Sequence, residues 1–553
     1  METMNKPTQT PLFTDTGTSA VRLLERAVER FGPRPALNFF GRQTSYAELG
    51  RLVGRAAAGL QALGVGKGSN VGLCLPNCPY YVMMYHAILK AGGTVVNFNP
   101  LYTAQEIETQ SRGCDVTVMV TLDLALIQDK IAPLVAKKLF EQVIVCRMAA
   151  ALPPLKSLLL RSLKRRDLAE IPAQAPYVEF ADLTRGDQPA TPVAIDPETD
   201  IAVLQFTGGT TGTPKAAMLS HANITVNVAQ SRAAFPDVEP ARERFLAVLP
   251  LFHVFAMTSI MNFGISVGAE ILLMPRLDMR ELMHIIVRRR PTVLAGVPTL
   301  FTAICHAAEA KKNFDMSFIK FCISGGAPLA AETKERFEAL AHTQILEGYG
   351  LSETSPVATF NRAGAARPGS VGPAMPGSSI EIRDPAKPET LLPQGERGEI
   401  CIRGPQVMRG YYKKPEETAA VFADGSLRTG DIGYLDADGY LFIVDRIKDL
   451  IICGGYNVYP RIIEEAAYQH PAVQDAIAIG VPDPYRGQVP KLFVTLRAGA
   501  TATPADIMAF LVTHLNKIEI PKSVEIRDSL PRTLVGKLSK KELVAEEKLR
   551  ADS

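Results

Sequence analysis

Residues 46–98 read YAELGRLVGRAAAGLQALGVGKGSNVGLCLPNCPYYVMMYHAILKAGGTVVNF, and the order of patterns within them decides the fold. Up to Gly64, apolar residues recur at helical spacing and stop at the glycines of GVGKG, a signal for the end of a helix. VGLCLP follows as a short apolar strand, a helix is predicted from about Tyr80 to Ala91, and TVVNF closes the unit as a second strand. Strand, helix, strand in that order places parallel strands in a sheet buried on both faces.

The same alternation recurs through IAVLQF (201–206), TVLAG (292–296) and FCISGG (321–326), with no repeat at solenoid periods. Residues 364–440 are rich in Gly and Pro with brief strands such as GEICIRG, which predicts a small β subdomain. Beyond about 445 the order is strand, helix (460–469), strands (475–481 and 491–496), helix (504–516) and strand (523–527). That is enough for a separate α+β domain joined by the charged segment DRIKD, giving boundaries at 1–444 and 445–553.

With 47% apolar and 21% charged residues, the 553-residue chain has the composition of an ordinary globular protein with room for several domains. A net charge of +3 gives no footing for nucleic-acid binding. The eight cysteines are scattered, and Cys74 and Cys78 have no partners at zinc-ligand spacing. They are expected to be small buried hydrophobes in a reducing compartment. Residues 1–18 lack the apolar core of an export signal. Between Arg244 and Glu270, 25 residues carry no charge, long enough to span a bilayer. Pro250, His253, Asn262, Gly264 and Gly268 interrupt them, so a buried strand and helix are expected instead. Segment 152–168, LPPLKSLLLRSLKRRDL, sets leucines at helical spacing among Lys156, Arg161, Lys164, Arg165 and Arg166.

Four stretches could carry chemistry. TGGTTGTPK follows the strand IAVLQF, with Thr207, Gly208, Gly209, Thr210, Thr211, Gly212 and Lys215. Its glycines let backbone N–H groups close around phosphate oxygens, and hydroxyls and lysine add donors and charge. Pro214 before Lys215 separates it from the Walker pattern. A plain surface loop is the alternative. EGYGLSET holds Glu347, Gly348, Tyr349, Gly350, Ser352 and Glu353. An aromatic ring between glycines can stack on a flat base, and a hydroxyl beside a carboxylate offers the oxygen ligands Mg²⁺ prefers near phosphates. A turn with a buried tyrosine would read the same way. Asp431 in RTGDIGY could accept two hydrogen bonds from a ribose diol, and Arg446 stands in DRIKD; either is otherwise a solvated charge. Lys537 in PRTLVGK is otherwise an idle surface lysine.

In this order the motifs resemble the adenylate-forming superfamily of acyl-CoA synthetases, luciferases and peptide-synthetase adenylation domains, over about residues 20–540. NPLYTAQEI (99–107), LPLFHVFAM (249–257), GVPTLF (296–301) and DRIKDLIICGGYNVYP (445–460) look most like bacterial medium- to long-chain fatty acyl-CoA synthetases. The resemblance implies an α/β fold: a large N-terminal domain of two doubly wound α/β subdomains plus a β subdomain, and a small mobile α+β C-terminal domain. It implies ATP, Mg²⁺ and CoA, and two half-reactions through an acyl-adenylate. Residue by residue, Thr207 to Lys215 would hold pyrophosphate, and Gly325, Gly326 and Ala327 with Tyr349 would frame adenine. Ser352 would touch the α-phosphate, Glu353 with Thr207 would hold Mg²⁺, and Asp431 with Arg446 the ribose. Lys537 would bridge carboxylate and α-phosphate, with Glu353 and His253 completing the catalytic set. Asp445 would be the hinge and Gly454–Gly455 the turn that approaches pantetheine. His253, Val254, Met257 and Gly296 would line the acyl pocket.

Two departures stand out. Met257 occupies the place of a tryptophan gate in some fatty-acid relatives, and Ser352 stands where many have threonine; the hydroxyl is retained. Rivals are a ligase for dicarboxylates or aromatic acids, a carrier-loading enzyme, and a non-catalytic lipid-binding or transport protein that needs none of Glu353, Asp431 or Lys537. The expected partners are small molecules and no nucleic acid, with room for a homodimer and for acylation of Lys537. Location is expected to be cytoplasmic, with reversible contact at the inner membrane face through 152–168.

Overall fold

The computed structural model describes residues 18–207, 214–309, 314–327, 329–454, 456–532 and 538–552. The chain is mixed α/β, with a large N-terminal domain and a smaller C-terminal one. A seven-stranded sheet runs, in spatial order, through Tyr177–Glu179, Gln142–Cys146, Val116–Leu122, Asn70–Leu73, Thr94–Asn97, Ile201–Phe206 and Ala216–Ser220. All neighbours are parallel except the last pair. The predicted unit at 46–98 sits at its centre as helix Tyr46–Ala62, strand Asn70–Leu73, helix Pro79–Ala91 and strand Thr94–Asn97. Ser45 starts it by accepting from Glu48 N, and Gly92 ends its second helix at φ +90°.

An eight-stranded sheet contains Val357–Phe360, Ile345–Gly350, Phe321–Ser324, Val293–Gly296, Arg244–Ala247, Glu270–Leu273, Pro35–Phe39 and Arg42–Ser45. It is parallel except at its two edges. The uncharged stretch begins within strand Arg244–Ala247, ends just before strand Glu270–Leu273 and forms between them a π-helical turn at Met257–Asn262 whose residues are all buried. None of the described helices is long and apolar enough to cross a membrane. Buried side chains stitch the sheets together: Asn77 donates to Ala247 O and Leu249 O, and Tyr81 to Leu251 O. Each is an amide or phenol that burial would penalise without such a partner.

A five-stranded antiparallel sheet (Ser379–Arg383, Gly398–Arg403, Phe422–Ala423, Ser426–Leu435, Leu441–Arg446) forms the β part of the N-terminal domain. The C-terminal sheet joins Ile451–Cys453, Tyr456–Val458, Val473–Asp483, Gly487–Leu496 and Ser523–Ile526, packed by helices Pro460–Tyr468 and Pro504–Val512. A last helix, Lys541–Asp552, follows it. Across the two domains, Arg497 forks onto both oxygens of Glu332 at 2.8 and 2.5 Å. All eight cysteines are free and buried.

Helix Pro154–Leu163 has no buried residue. Leu155 and Leu163 are 70% and 80% exposed, and Leu158 and Leu159 also face outward. Only Leu160 packs towards the core. The apolar face of this helix therefore points away from the protein, the reverse of an ordinary surface helix.

Candidate active site

Strands Ile201–Phe206 and Ala216–Ser220 pair antiparallel, and Thr207 N donates to Lys215 O at 2.9 Å across the base of the glycine-rich loop. Gly208, Gly209, Thr210, Thr211 and Gly212 lie outside the described residues. The free edge of Ala216–Ser220 is covered by residues 409–412, through Met218 N to Gly410 O, Arg409 N to Met218 O and Tyr412 N to Ala216 O. This contact delivers Tyr411. Its ring centroid lies 5.1 Å from Lys215 Nζ, and its hydroxyl donates to Glu353 Oε1 at 2.8 Å. Glu353 sits on the turn Ser352–Thr354, tied down by Met408 N donating to its carbonyl. Burial pushes the Glu353 carboxyl above its ordinary range, while the Tyr411 bond and the Arg446 charge pull the other way.

Strand Ile345–Gly350 carries Glu347 to Gly350 and pairs with Val357–Phe360, placing Gly348 opposite Phe360. A Cβ at Gly348 would come within 2.5 Å of the Phe360 ring, and one at Gly350 within 1.8 Å of Pro356 O. The returning strand thus requires both glycines, whatever stacks on the tyrosine between them. Tyr349 donates to Asp431 Oδ2 at 2.6 Å, and Arg446 Nε meets Asp431 Oδ1 at 3.0 Å. Asp431 and Arg446 are direct cross-strand partners, so register alone holds this opposite-charge pair. Burial, then the neighbouring Asp431 charge, keeps the Tyr349 phenol protonated. Glu347 meets Lys334 at 3.4 Å, and burial raises its carboxyl. Gly325, Gly326 and Ala327 follow strand Phe321–Ser324; Gly325 N donates to Gly296 O, and the Phe255 ring would lie 3.3 Å from a Cβ there.

Asp445 is buried and accepts from Arg446 N and Arg461 N, both at 2.8 Å. The second bond satisfies an otherwise orphaned donor at the start of helix Pro460–Tyr468, whose own N-cap Tyr459 supplies none. Burial raises the Asp445 carboxyl, and Lys540, which pairs with Glu464 at 3.0 Å, opposes the rise. Gly454 lies on an exposed turn at φ +58° and donates to Arg486 O. Gly455 and Lys537 lie outside the described residues.

Of the residues expected to line an acyl pocket, Val254 and Met257 are buried, and the Met257 sulfur accepts from Asn97 at 3.5 Å. His253 Nδ1 accepts from Phe255 N at 3.3 Å. A Cβ at Gly296 would meet Leu300 at 2.8 Å. A small space lies among Ser259, Phe263, Ser231, Phe235, Ile323 and Phe360.

The structure thus joins Lys215 to Glu353 through Tyr411, and Tyr349 to Arg446 through Asp431. Sequence reasoning missed Tyr411; RGYYKKP at 409–415 advertises a turn, and only the sheet-edge pairing reveals the partner. No group of three or more His, Cys, Asp or Glu positioned to hold a metal occurs among the described residues. A lone buried carboxylate does fit Mg²⁺ held mainly by phosphate oxygens and water.

Known proteins resemble this chain over nearly its whole length. The AMP-binding enzyme model matches residues 24–412, and the AMP-binding enzyme C-terminal domain model matches 462–537. A long-chain-fatty-acid–CoA ligase of Bacillus subtilis (strain 168) is 41% identical over 529 residues, covering 95% of this chain and 94% of the relative. One of Yersinia pestis is 36% identical over 96% of this chain and 95% of the relative. The crystal structure of ATP-bound MatB from Rhodopseudomonas palustris superposes with a TM-score of 0.83 at 29% identity, over 97% of this chain and 99% of that one. The chain belongs to the AMP-binding enzyme family. Within it, the chain is an AMP-forming acyl-CoA synthetase, an acid–thiol ligase using ATP and CoA.

Proposed function

We propose that this enzyme activates medium- to long-chain fatty acids. Carboxylate and ATP give acyl-AMP and pyrophosphate, and the CoA thiol then displaces AMP to give acyl-CoA. The observation that carries the reading is the pair of linked clusters, Lys215–Tyr411–Glu353 and Tyr349–Asp431–Arg446. The relatives named as long-chain-fatty-acid–CoA ligases support the choice of acid.

Adenylation brings a carboxylate against a polyanion, so preorganised cations and N–H dipoles must cancel the repulsion. Lys215 with the loop after Thr207 would hold the pyrophosphate oxygens, Ser352 the α-phosphate, Tyr349 the adenine face, and Asp431 the ribose diol. Glu353, with the Thr207 hydroxyl, would hold Mg²⁺, whose charge neutralises the phosphates when bound. Lys537 would bridge the reacting carboxylate and α-phosphate. The acid is already ionised at neutral pH, so no general base is required. For the second half-reaction the domain after Asp445 would swing, withdrawing Lys537 and bringing the Gly454 turn to pantetheine. Acylation of Lys537 would remove its charge and stop the first step.

The outward-facing leucines and cations of 152–168 support reversible contact with an anionic bilayer, where fatty acids partition, by a cytoplasmic enzyme. The test of the catalytic reading is AMP release by the purified protein with ATP and CoA, screened over fatty, dicarboxylic and aromatic acids. Release that rises with aliphatic chain length supports it; preference for benzoate, or for a diacid over its matched monoacid, overturns the choice of acid.

A further inference from the structure

An ion pair in the C-terminal domain takes no part in the chemistry above. Lys540, partly buried, sets its Nζ 3.0 Å from Glu464 Oε1. Glu464 stands on helix Pro460–Tyr468, and the same oxygen accepts from Ala478 N at 2.9 Å. Strand Val473–Asp483 is an edge of its sheet, so this bond satisfies an outward backbone donor. Burial opposes the Lys540 ammonium, yet the charges of Glu464, Asp445 and Asp449 outweigh it and raise its pKa.

Lys540 also closes a hairpin. Arg532 and Leu538 form an antiparallel bridge, and Ser539 N donates to Pro531 O at 2.9 Å. Leu530 and Leu538, one on each arm, pack with Ile477, Ile479 and Phe493. Arg532 donates to Asp475 on the edge strand at 2.6 Å, and Lys540 ties the other arm to the helix. Residues 533–537, which join the arms, end in Lys537. The helix that carries Glu464 has the Arg461 N–H in its first turn, and that group donates to Asp445. A continuous path therefore runs from the hinge carboxylate, along one turn of helix, to Lys540. We infer that Lys540 is a positioning residue for adenylation, whose pair with Glu464 anchors the segment bearing Lys537 and couples it to Asp445; this rests on the roles of Lys537 and Asp445 proposed above. Rotation about Asp445 then reaches Lys537 as the motion of one rigid unit. Lys540 acts through Lys537 and not on the substrate.

Lys540→Met removes the ammonium at similar length, and Lys540→Arg restores a cation. Glu464→Gln keeps an acceptor for Ala478 N and removes only the charge. Single-turnover acyl-adenylate formation is measured beside thioester formation from supplied acyl-AMP and CoA. Misplacing a catalytic group by about 1 Å costs about 10²-fold in rate, so Lys540→Met should slow adenylation about 10- to 100-fold. KM for ATP and the thioester rate should stay near those of the wild type, and Lys540→Arg should recover most of the loss. Glu464→Gln should show the same split, and it decides the matter if Lys540→Met fails to fold. Unchanged adenylation in both variants, or equal loss in both half-reactions, overturns the inference. Lys537→Ala separates the two levels. If it cripples adenylation while Lys540→Met and Glu464→Gln do not, the positioning role alone fails. If it leaves adenylation intact, the proposed role of Lys537 fails and takes this inference with it.

Discussion

Tyr411 donates its phenol hydrogen to Glu353 Oε1 at 2.8 Å, across 58 positions of sequence. The bond comes from the β part of the N-terminal domain and secures a carboxylate that burial would rather keep neutral. A hydrogen bond to a charged group contributes about 1.5–3 kcal/mol. Tyr411→Phe should therefore lower the adenylation rate about 10- to 100-fold and raise the Mg²⁺ concentration needed for half-maximal rate. Glu353→Gln should cost more. Pyrophosphate release titrated against Mg²⁺ checks both, and an unchanged Mg²⁺ requirement in both variants would remove Glu353 from the metal role.

Asp431 has two strong partners, the Tyr349 phenol and the Arg446 guanidinium. Asp431→Asn keeps the shape and removes the charge, leaving Arg446 without its counter-ion. The expected result is a rise of about tenfold or more in KM for ATP, corresponding to roughly 1.4 kcal/mol. Thioester formation from supplied acyl-AMP should be affected less. Equal loss in both assays would argue for a structural role of the pair.

If the two-state account holds, Lys537 works in one half-reaction only. Removing one preorganised charge-stabilising donor costs about 10²–10³ in rate, roughly 3–4 kcal/mol. Lys537→Ala should cripple acyl-adenylate formation yet convert supplied acyl-adenylate and CoA to thioester at a near-normal rate. Asp445→Pro should show the opposite bias, because a fixed φ hinders rotation. Single-turnover assays of each half-reaction separate the cases, and equal loss in both from Lys537→Ala would sink the alternation account.

The outward leucines of helix Pro154–Leu163 predict sedimentation with anionic vesicles that salt weakens. Each basic residue near the surface contributes about 1 kcal/mol, so Arg165→Glu with Arg166→Glu should largely release the protein. Binding that ignores both salt and the double substitution would reject the contact.

In the C-terminal domain, Glu525 is penalised by burial but receives Lys491, Arg527 and Arg550 at 2.9, 2.8 and 3.1 Å, which hold its carboxyl down at about 2. A depressed folded-state value adds stability that is present above the ordinary 4.5 and lost as pH falls towards 2. Glu525→Gln should therefore melt earlier than the parent at pH 7. The gap should close progressively below about pH 4.5 in thermal scans.

Much of the fold was legible because single-period patterns dominate the chain. IAVLQF became strand Ile201–Phe206 and the helix read over 46–63 became Tyr46–Ala62, each framed by turn or cap residues that act locally. Helix Lys541–Asp552 was not read, its few apolar residues making a weak stripe. Segment 152–168 shows a different limit. Periodicity reveals that a helix has an apolar face but carries no information about whether that face looks inward, which depends on what else the core has already filled. At the site, the residues in glycine-rich motifs were readable from chemistry. Tyr411 was not, since its role comes from Glu353 and Lys215, 58 and 196 positions away.

The Arg497–Glu332 fork sits where water and ions reach both partners. Exposed charge pairs weaken as counter-ions crowd around them. If the C-terminal domain swings during turnover, the solvent holds a share of the control over how long it dwells in the arrangement seen here. Such an enzyme would keep a different tempo in dilute and in concentrated salt with every residue at the chemistry unaltered, and Glu332→Gln would leave it deaf to that change.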